Sequence, residues 1–174
     1  GAFSARKNIH NLLIAFDSFK KFDKQDFKLL LIGTPLFKDN TLQQLYEQLL
    51  FKNDIVFLGR QSPENLHQIL GAAHALTFIP YFEGFGIPVA EAIQCEVPVV
   101  CSNVTSIPEV VGKAGLLAEP ENIESIVDAM KRISTDAQLR EQLVMQAKKQ
   151  KNSFTWNQSA KKLWETIEKV MQNE

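Results

Sequence analysis

Five short runs rich in Val, Ile, Leu and Phe, at 27–32, 55–58, 75–79, 97–101 and 115–118, are each followed by a turn and a helical pattern. Their apolar character is continuous and not alternating, which suits strands covered on both faces of a parallel sheet. Between them, apolar residues recur at helical spacing. Ile9, Leu12, Leu13, Phe16 and Phe19 share one stripe, as do Leu42, Leu45 and Leu49, and then Leu66, Ile69 and Leu70. Ser62-Pro63-Glu64 reads as a helix start, with Ser as N-cap, Pro at the first helical position and Glu near the positive end of the dipole. Helical stretches at 122–133, 136–149 and 156–171 follow the last strand. This alternation predicts an α/β fold: a Rossmann-like, doubly wound parallel sheet.

The 174 residues suffice for one such domain, at about 150 residues per domain. Nineteen Lys+Arg against 20 Asp+Glu give a net charge of −1, so no global field holds nucleic acid, which is not an expected partner. Cys95 and Cys101 are too few for a disulfide scaffold or a four-thiolate zinc site, and read as free thiols in a reducing cytoplasm. Unbroken apolar stretches reach only about five residues, far short of a bilayer span. No signal segment opens the chain. The start, Gly1-Ala2-Phe3-Ser4, reads as that of a fragment. His10, His67 and His74 have no partner at metal spacing, and with no Asp-x-Asp in the chain no metal is expected. The run Lys148-Lys149-Gln150-Lys151 reads as a solvated helix end, and Trp156 and Trp164, eight apart, as packing residues on one helix face.

Gly33 and Gly59 follow strands, and Gly1 does so if a strand precedes it. In such sheets ligands bind in the crevice at the carboxyl ends of the strands, where Gly permits close backbone approach. The most informative stretch lies at that level: Ile79-Pro80-Tyr81-Phe82-Glu83-Gly84-Phe85-Gly86-Ile87-Pro88-Val89-Ala90-Glu91-Ala92. A strand ends, a Gly-containing loop follows, and a helix opens near Pro88. The amides of Gly84, Phe85, Gly86 and Ile87 are expected at a helix N-terminus, an anion-binding arrangement. Glu83 in the loop and Glu91 one turn into the helix suit vicinal hydroxyls. Val89 stands where a dinucleotide fingerprint needs its third glycine, so a dehydrogenase reading fails. A phosphate-bearing, polyhydroxylated ligand uses all of these groups, although two glutamates near a helix start also suit the dipole alone.

Glu83 to Ala92 resembles the E-G-F-G-[LI]-P-x-x-E-A hallmark of the retaining group 1 (family 4) glycosyltransferases, whose GT-B architecture pairs two Rossmann domains. Lys7-Asn8, Phe57-Leu58-Gly59, Pro98-Val99-Val100, Ile107-Pro108-Glu109-Val110-Val111 and Phe154-Thr155-Trp156 are similar to that family's other motifs. The resemblance implies a C-terminal, donor-binding domain over residues 1–174, with its first strand cut just before Gly1 and its N-terminal acceptor domain absent. It implies transfer of a sugar from a nucleotide diphosphate sugar with retention, the fragment alone being inactive. By the same resemblance Glu91 accepts from the ribose 2′- and 3′-hydroxyls, Glu83 faces the donor sugar, and the amides of Gly84 to Ile87 contact sugar and diphosphate. Gly1 is the strand-end glycine, Lys7 stabilises the departing diphosphate, and Gly59 and Arg60 line the base pocket. Implied partners are the donor, the N-terminal domain, a weak membrane-surface contact of the parent, and a fragment dimer through the C-terminal helix face of Trp164, Ile167 and Val170.

Four departures from the pattern stand out, one of them Gly33-Thr34-Pro35 where the family has a Gly-x-Gly turn. Ala2 replaces an Arg that pairs with the Lys, so Arg6 and Arg60 are the candidates to compensate. Glu96 replaces a Gly before Pro98, and Tyr81 replaces a Ser after Pro80. Rival readings are a nucleotide-sugar epimerase, a sugar phosphorylase, or a non-catalytic nucleotide-binding regulatory module.

Overall fold

A computed structural model describes residues 3–34 and 40–172. Five strands form, all paired in parallel: β1 (Leu29–Ile32), β2 (Ile55–Gly59), β3 (Leu76–Phe78), β4 (Val99–Ser102) and β5 (Gly115–Ala118). Between and after them come α1 (Ile9–Lys20), α2 (Asn40–Gln48), α3 (Pro63–Ala72), α4 (Ile87–Gln94), α5 (Ile107–Val111), α6 (Ile123–Thr135), α7 (Ala137–Gln150) and α8 (Trp156–Met171). The α/β alternation is as predicted, and strand boundaries differ by one or two residues for local reasons. The Phe27 N–H is taken by the Asp23 carboxylate at 2.8 Å, which delays β1. Pro98 has no N–H to give the ladder, so it only accepts, from Leu76 N at 3.0 Å, and β4 starts at Val99.

β4 shows why the sheet needs helices on both sides. All four of its residues are buried, with Val100 turned to one core and Val99 and Cys101 to the other. On the first face α1 and α6 pack together through Leu13, Phe16, Ile126 and Met130. On the second, α4, α5 and α7 bring Val89, Ile93, Ile107, Val111 and Ala147. Each fully buried aliphatic side chain of this kind contributes about 1.5–3 kcal/mol. Burial also pushes the free Cys101 thiol up to about 12, an inert group.

Three expectations need correction. The predicted single sheet is two ladders among the described residues, β1-β2 and β3-β4-β5. β1 and β3 face each other across a cavity of about 540 Å³, lined by Leu30, Leu31 and Ile32 on one side and Leu76, Thr77 and Phe78 on the other. No described strand lies between them to join the ladders, and every residue of β3 is only half-buried. The tryptophans do not pack: Trp156 is 91% and Trp164 62% exposed, and α8 buries none of its residues. The Lys148–Lys151 run is more than a solvated end, because Lys151 and Lys148 approach the Glu96 carboxylate at 2.7 and 3.6 Å. No helix of the described residues is long and apolar enough to cross a membrane.

Candidate functional site

The site begins where β3 ends. Residues 79–86 form a loop that turns into α4 at Gly86, with φ at 98°. A Cβ there would lie 2.6 Å from Ile107 Cδ1, so both conformation and space demand glycine. The loop carries Glu83 inward, 9% exposed. Both backbone groups of Glu83 are held from the β4–α5 turn: its N–H donates to Thr105 Oγ1 at 3.3 Å, and its carbonyl accepts from Ser106 Oγ at 2.9 Å.

The other half of the site comes from the start of the described chain. Residues Ala5–Lys7 make a 3₁₀ turn, and Asn8, at φ 55°, redirects the chain into α1. Asn8 is buried and donates from Nδ2 to Pro120 O at 2.7 Å. Tyr81 N donates to Arg6 O at 2.9 Å, fixing the 3₁₀ turn against the β3 loop. The Arg6 and Lys7 side chains then meet Glu83 Oε1 together, Arg6 Nη1 at 2.7 Å. The Lys7 ammonium also lies 4.8 Å from the centre of the Phe78 ring, a cation–π contact.

Lys7, Arg60 and Glu91 line one cavity with Gly33, Thr34, Gln61 and Pro88. These polar groups stand at the carboxyl ends of the strands, above the apolar slot between β1 and β3. Glu91 is half-buried, and its carboxylate has no hydrogen bond or ion pair within the protein among the described residues. Arg60 is exposed after β2, and Gly33 N donates to Gly59 O at 2.8 Å, tying the ends of β1 and β2.

The structure therefore brings Lys7, Arg60 and Glu91 around one cavity and joins Glu83 to Lys7. It does not do so for every residue singled out from the sequence. Gly84, Phe85 and Ile87 lie in exposed loop or helix start, and at this wall Pro88 and Glu91 form the lining instead. Gly1 and Ala2 fall outside the described residues. Thr105, Ser106 and Phe78 were missed by sequence reasoning. The available signal was a polar pair, Thr105-Ser106, placed directly before the Ile107-Pro108-Glu109 run.

With this geometry in view, comparison with known proteins gives a consistent result. The sequence profile described as "Glycosyl transferases group 1" matches residues 1–150. The chain is 37% identical over 156 residues to O-antigen chain mannosyltransferase B of Escherichia coli, covering 90% of this chain and 41% of that protein. Among solved structures, HepE of Anabaena in complex with UDP superposes with a TM-score of 0.84 at 21% identity, covering 97% of this chain and 47% of that one. Sucrose-phosphate synthase of Thermosynechococcus elongatus gives 0.83 at 23% identity, covering 100% and 45%. The chain thus spans less than half the length of each of these proteins.

Proposed function

The chain belongs to the group 1 glycosyl transferases, and from that premise we propose that it is the donor-binding unit of a longer enzyme. That enzyme would move a sugar, with retention, from a nucleotide diphosphate sugar to an acceptor. The mannosyltransferase name of the Escherichia coli relative supports a hexosyl donor, and the UDP held by the HepE structure supports a nucleotide diphosphate carrier.

The observation that carries this reading is Glu91: a carboxylate without a protein partner among the described residues, lining the same cavity as Lys7. In the proposed complex Glu91 accepts from both hydroxyls of the ribose. Arg60, beside Gly59, borders the base. Glu83 accepts from hydroxyls of the transferred ring. Lys7 stabilises charge growing on the diphosphate as the glycosidic bond breaks, an interaction that strengthens toward the transition state. Lys7→Ala in the longer enzyme should accordingly lower turnover more than donor affinity.

The slot between β1 and β3 supports a further strand of the parent chain, paired to both edges and running parallel to them. In doubly wound sheets of this kind the first strand lies at the centre, between the two halves. The uncovered α8 face, with Trp164, Ile167 and Val170, would dock on the acceptor-binding part of the parent, or pair two copies of this fragment. Titration with uridine, guanosine and adenosine diphosphates tests the reading. Binding of at least one is expected, and binding of none would overturn it.

A further inference from the structure

Arg6 and Lys7 are consecutive in the chain, yet both side chains converge on a single oxygen, Oε1 of Glu83. Arg6 contributes through Nη1 alone, which lies 2.7 Å from that oxygen and 3.3 Å from the Phe82 carbonyl. Its guanidinium offers five donors in a planar fork, so most of its capacity is unspent. The side chain is 52% exposed, against 17% for Lys7 and 11% for Glu83. The pair thus has a seated member, Lys7, which lines the cavity, and an open one, Arg6, joined to it through the shared Glu83 oxygen.

We propose that Arg6 and Lys7 together form a two-cation diphosphate clamp, and that the Glu83 carboxylate is its built-in competitor. The proposal rests on the nucleotide-sugar reading above and adds to it a residue and a direction of coupling. A carboxylate brings one charge to two cations, and here it meets them through one oxygen. A diphosphate brings more charge, spread over two groups, and phosphate oxygens match the guanidinium fork bidentately. The diphosphate therefore displaces Glu83 from both cations. The Glu83 backbone stays clasped by Thr105 and Ser106, so its freed carboxylate turns without the loop moving. Arrival of the diphosphate in this way delivers an acceptor to the sugar hydroxyls. The Arg6 side chain is not needed to hold the fold, because the loop is joined to it through backbone, Tyr81 N to Arg6 O.

Calorimetric titration with inorganic pyrophosphate, and with the three nucleoside diphosphates, tests this in the parent protein, Arg6→Gln, Glu83→Gln and the double variant, each checked for folding by its melting curve. Glu83→Gln keeps the shape and removes the competing charge, so it should bind pyrophosphate roughly 3- to 10-fold more tightly. Arg6→Gln should bind it roughly tenfold more weakly. The gain from Glu83→Gln should shrink in the Arg6→Gln background, since the two residues act on one another. Unchanged or weaker pyrophosphate binding by Glu83→Gln overturns the competitor role, and unchanged binding by Arg6→Gln removes Arg6 from the clamp. If the parent binds a nucleoside diphosphate and Glu83→Gln shows no gain, this proposal alone falls. If it binds pyrophosphate as described but no nucleoside diphosphate better than pyrophosphate, the nucleotide reading falls and the clamp stands.

Discussion

Thr105, at φ 54°, accepts through Oγ1 the backbone N–H of Glu83, 22 residues earlier in the chain, at 3.3 Å. A β-branched residue in the left-handed region is strained, on the order of 1–3 kcal/mol. The strain sits where the turn grips the carboxylate that both cations share. Thr105→Ala should keep most of the strain and lose the acceptor, lowering the melting temperature. Thr105→Gly should relieve the strain and melt higher than Thr105→Ala, while nucleotide binding weakens in both. Thermal denaturation and titration of the two variants check this, and the reverse order of melting would contradict it.

Glu96 occupies a similar backbone, φ 59°, between α4 and β4. This is the position where the family pattern has Gly, and the backbone explains that preference. Lys151, hydrogen-bonded to the Glu96 carboxylate, holds its carboxyl below the usual range despite some desolvation. Glu96→Ala keeps the left-handed backbone and loses the ion pairs. Glu96→Gly loses the pairs but relieves the backbone, and should melt roughly 2–4 °C above Glu96→Ala. Equal melting temperatures would show the backbone there to be unstrained.

At the opposite end of the sheet, Lys20 is buried against Asp23 at 2.8 Å and Asp54 at 3.0 Å. Burial opposes its charge, but the two carboxylates outweigh burial and hold the ammonium above its ordinary value. Burial likewise pushes Asp23 up, and Lys20 with the Gln25 and Phe27 amides overcomes it, leaving the carboxyl lowered. Hydrogen bonds from Lys28 and then Lys20 lower Asp54 as well. Depressed carboxyls stabilise the fold above their ordinary value of 3.8 and lose that contribution as pH falls through their folded values. Lys20→Met should cost about 3 kcal/mol at neutral pH by stranding Asp23, and should flatten the acid limb of the stability curve. Urea melts from neutral pH into that limb measure both, and an acid limb as steep as the parent's would contradict the assignment.

The slot between Leu30–Ile32 and Leu76–Phe78 predicts a gain of function for the fold. Five aliphatic, β-branched residues joined ahead of Gly1 should enter it, raising the melting temperature by roughly 5 °C or more. They should also suppress binding of a hydrophobic dye. The same extension with Pro at its centre cannot pair with both edges and should do neither. An aliphatic extension that leaves melting unchanged would show that the slot does not seat a strand.

Continuous apolar runs gave the strands away because each lies in one short window, and Glu83 and Glu91 were legible because one ten-residue stretch holds both. The division into two ladders was not, since which strands share hydrogen bonds leaves no local periodicity. Thr105 could be suspected only from the Thr105-Ser106 pair, and its left-handed backbone was illegible, because a non-glycine residue in that region carries no compositional mark. The meeting of Arg6 and Lys7 with Glu83 joins segments about 76 residues apart, which spacing alone does not reveal. α8 shows the limit of an amphipathic stripe, which announces an apolar face but not what covers it.

The most direct test of the donor-binding account is titration of nucleoside diphosphates into the parent protein, Glu91→Gln and Glu91→Ala. The Glu91 carboxylate has no protein partner among the described residues, so its removal should leave the melting temperature unchanged. Charge-assisted hydrogen bonds to both ribose hydroxyls predict a loss of roughly tenfold or more in affinity for Glu91→Ala, with Glu91→Gln between it and the parent. A 2′,3′-dideoxy nucleotide should bind the parent poorly and should bind Glu91→Ala about as well as the normal nucleotide does. Glu91→Ala binding nucleoside diphosphates as tightly as the parent would contradict the ribose role, and with it the account of this cavity as a donor site.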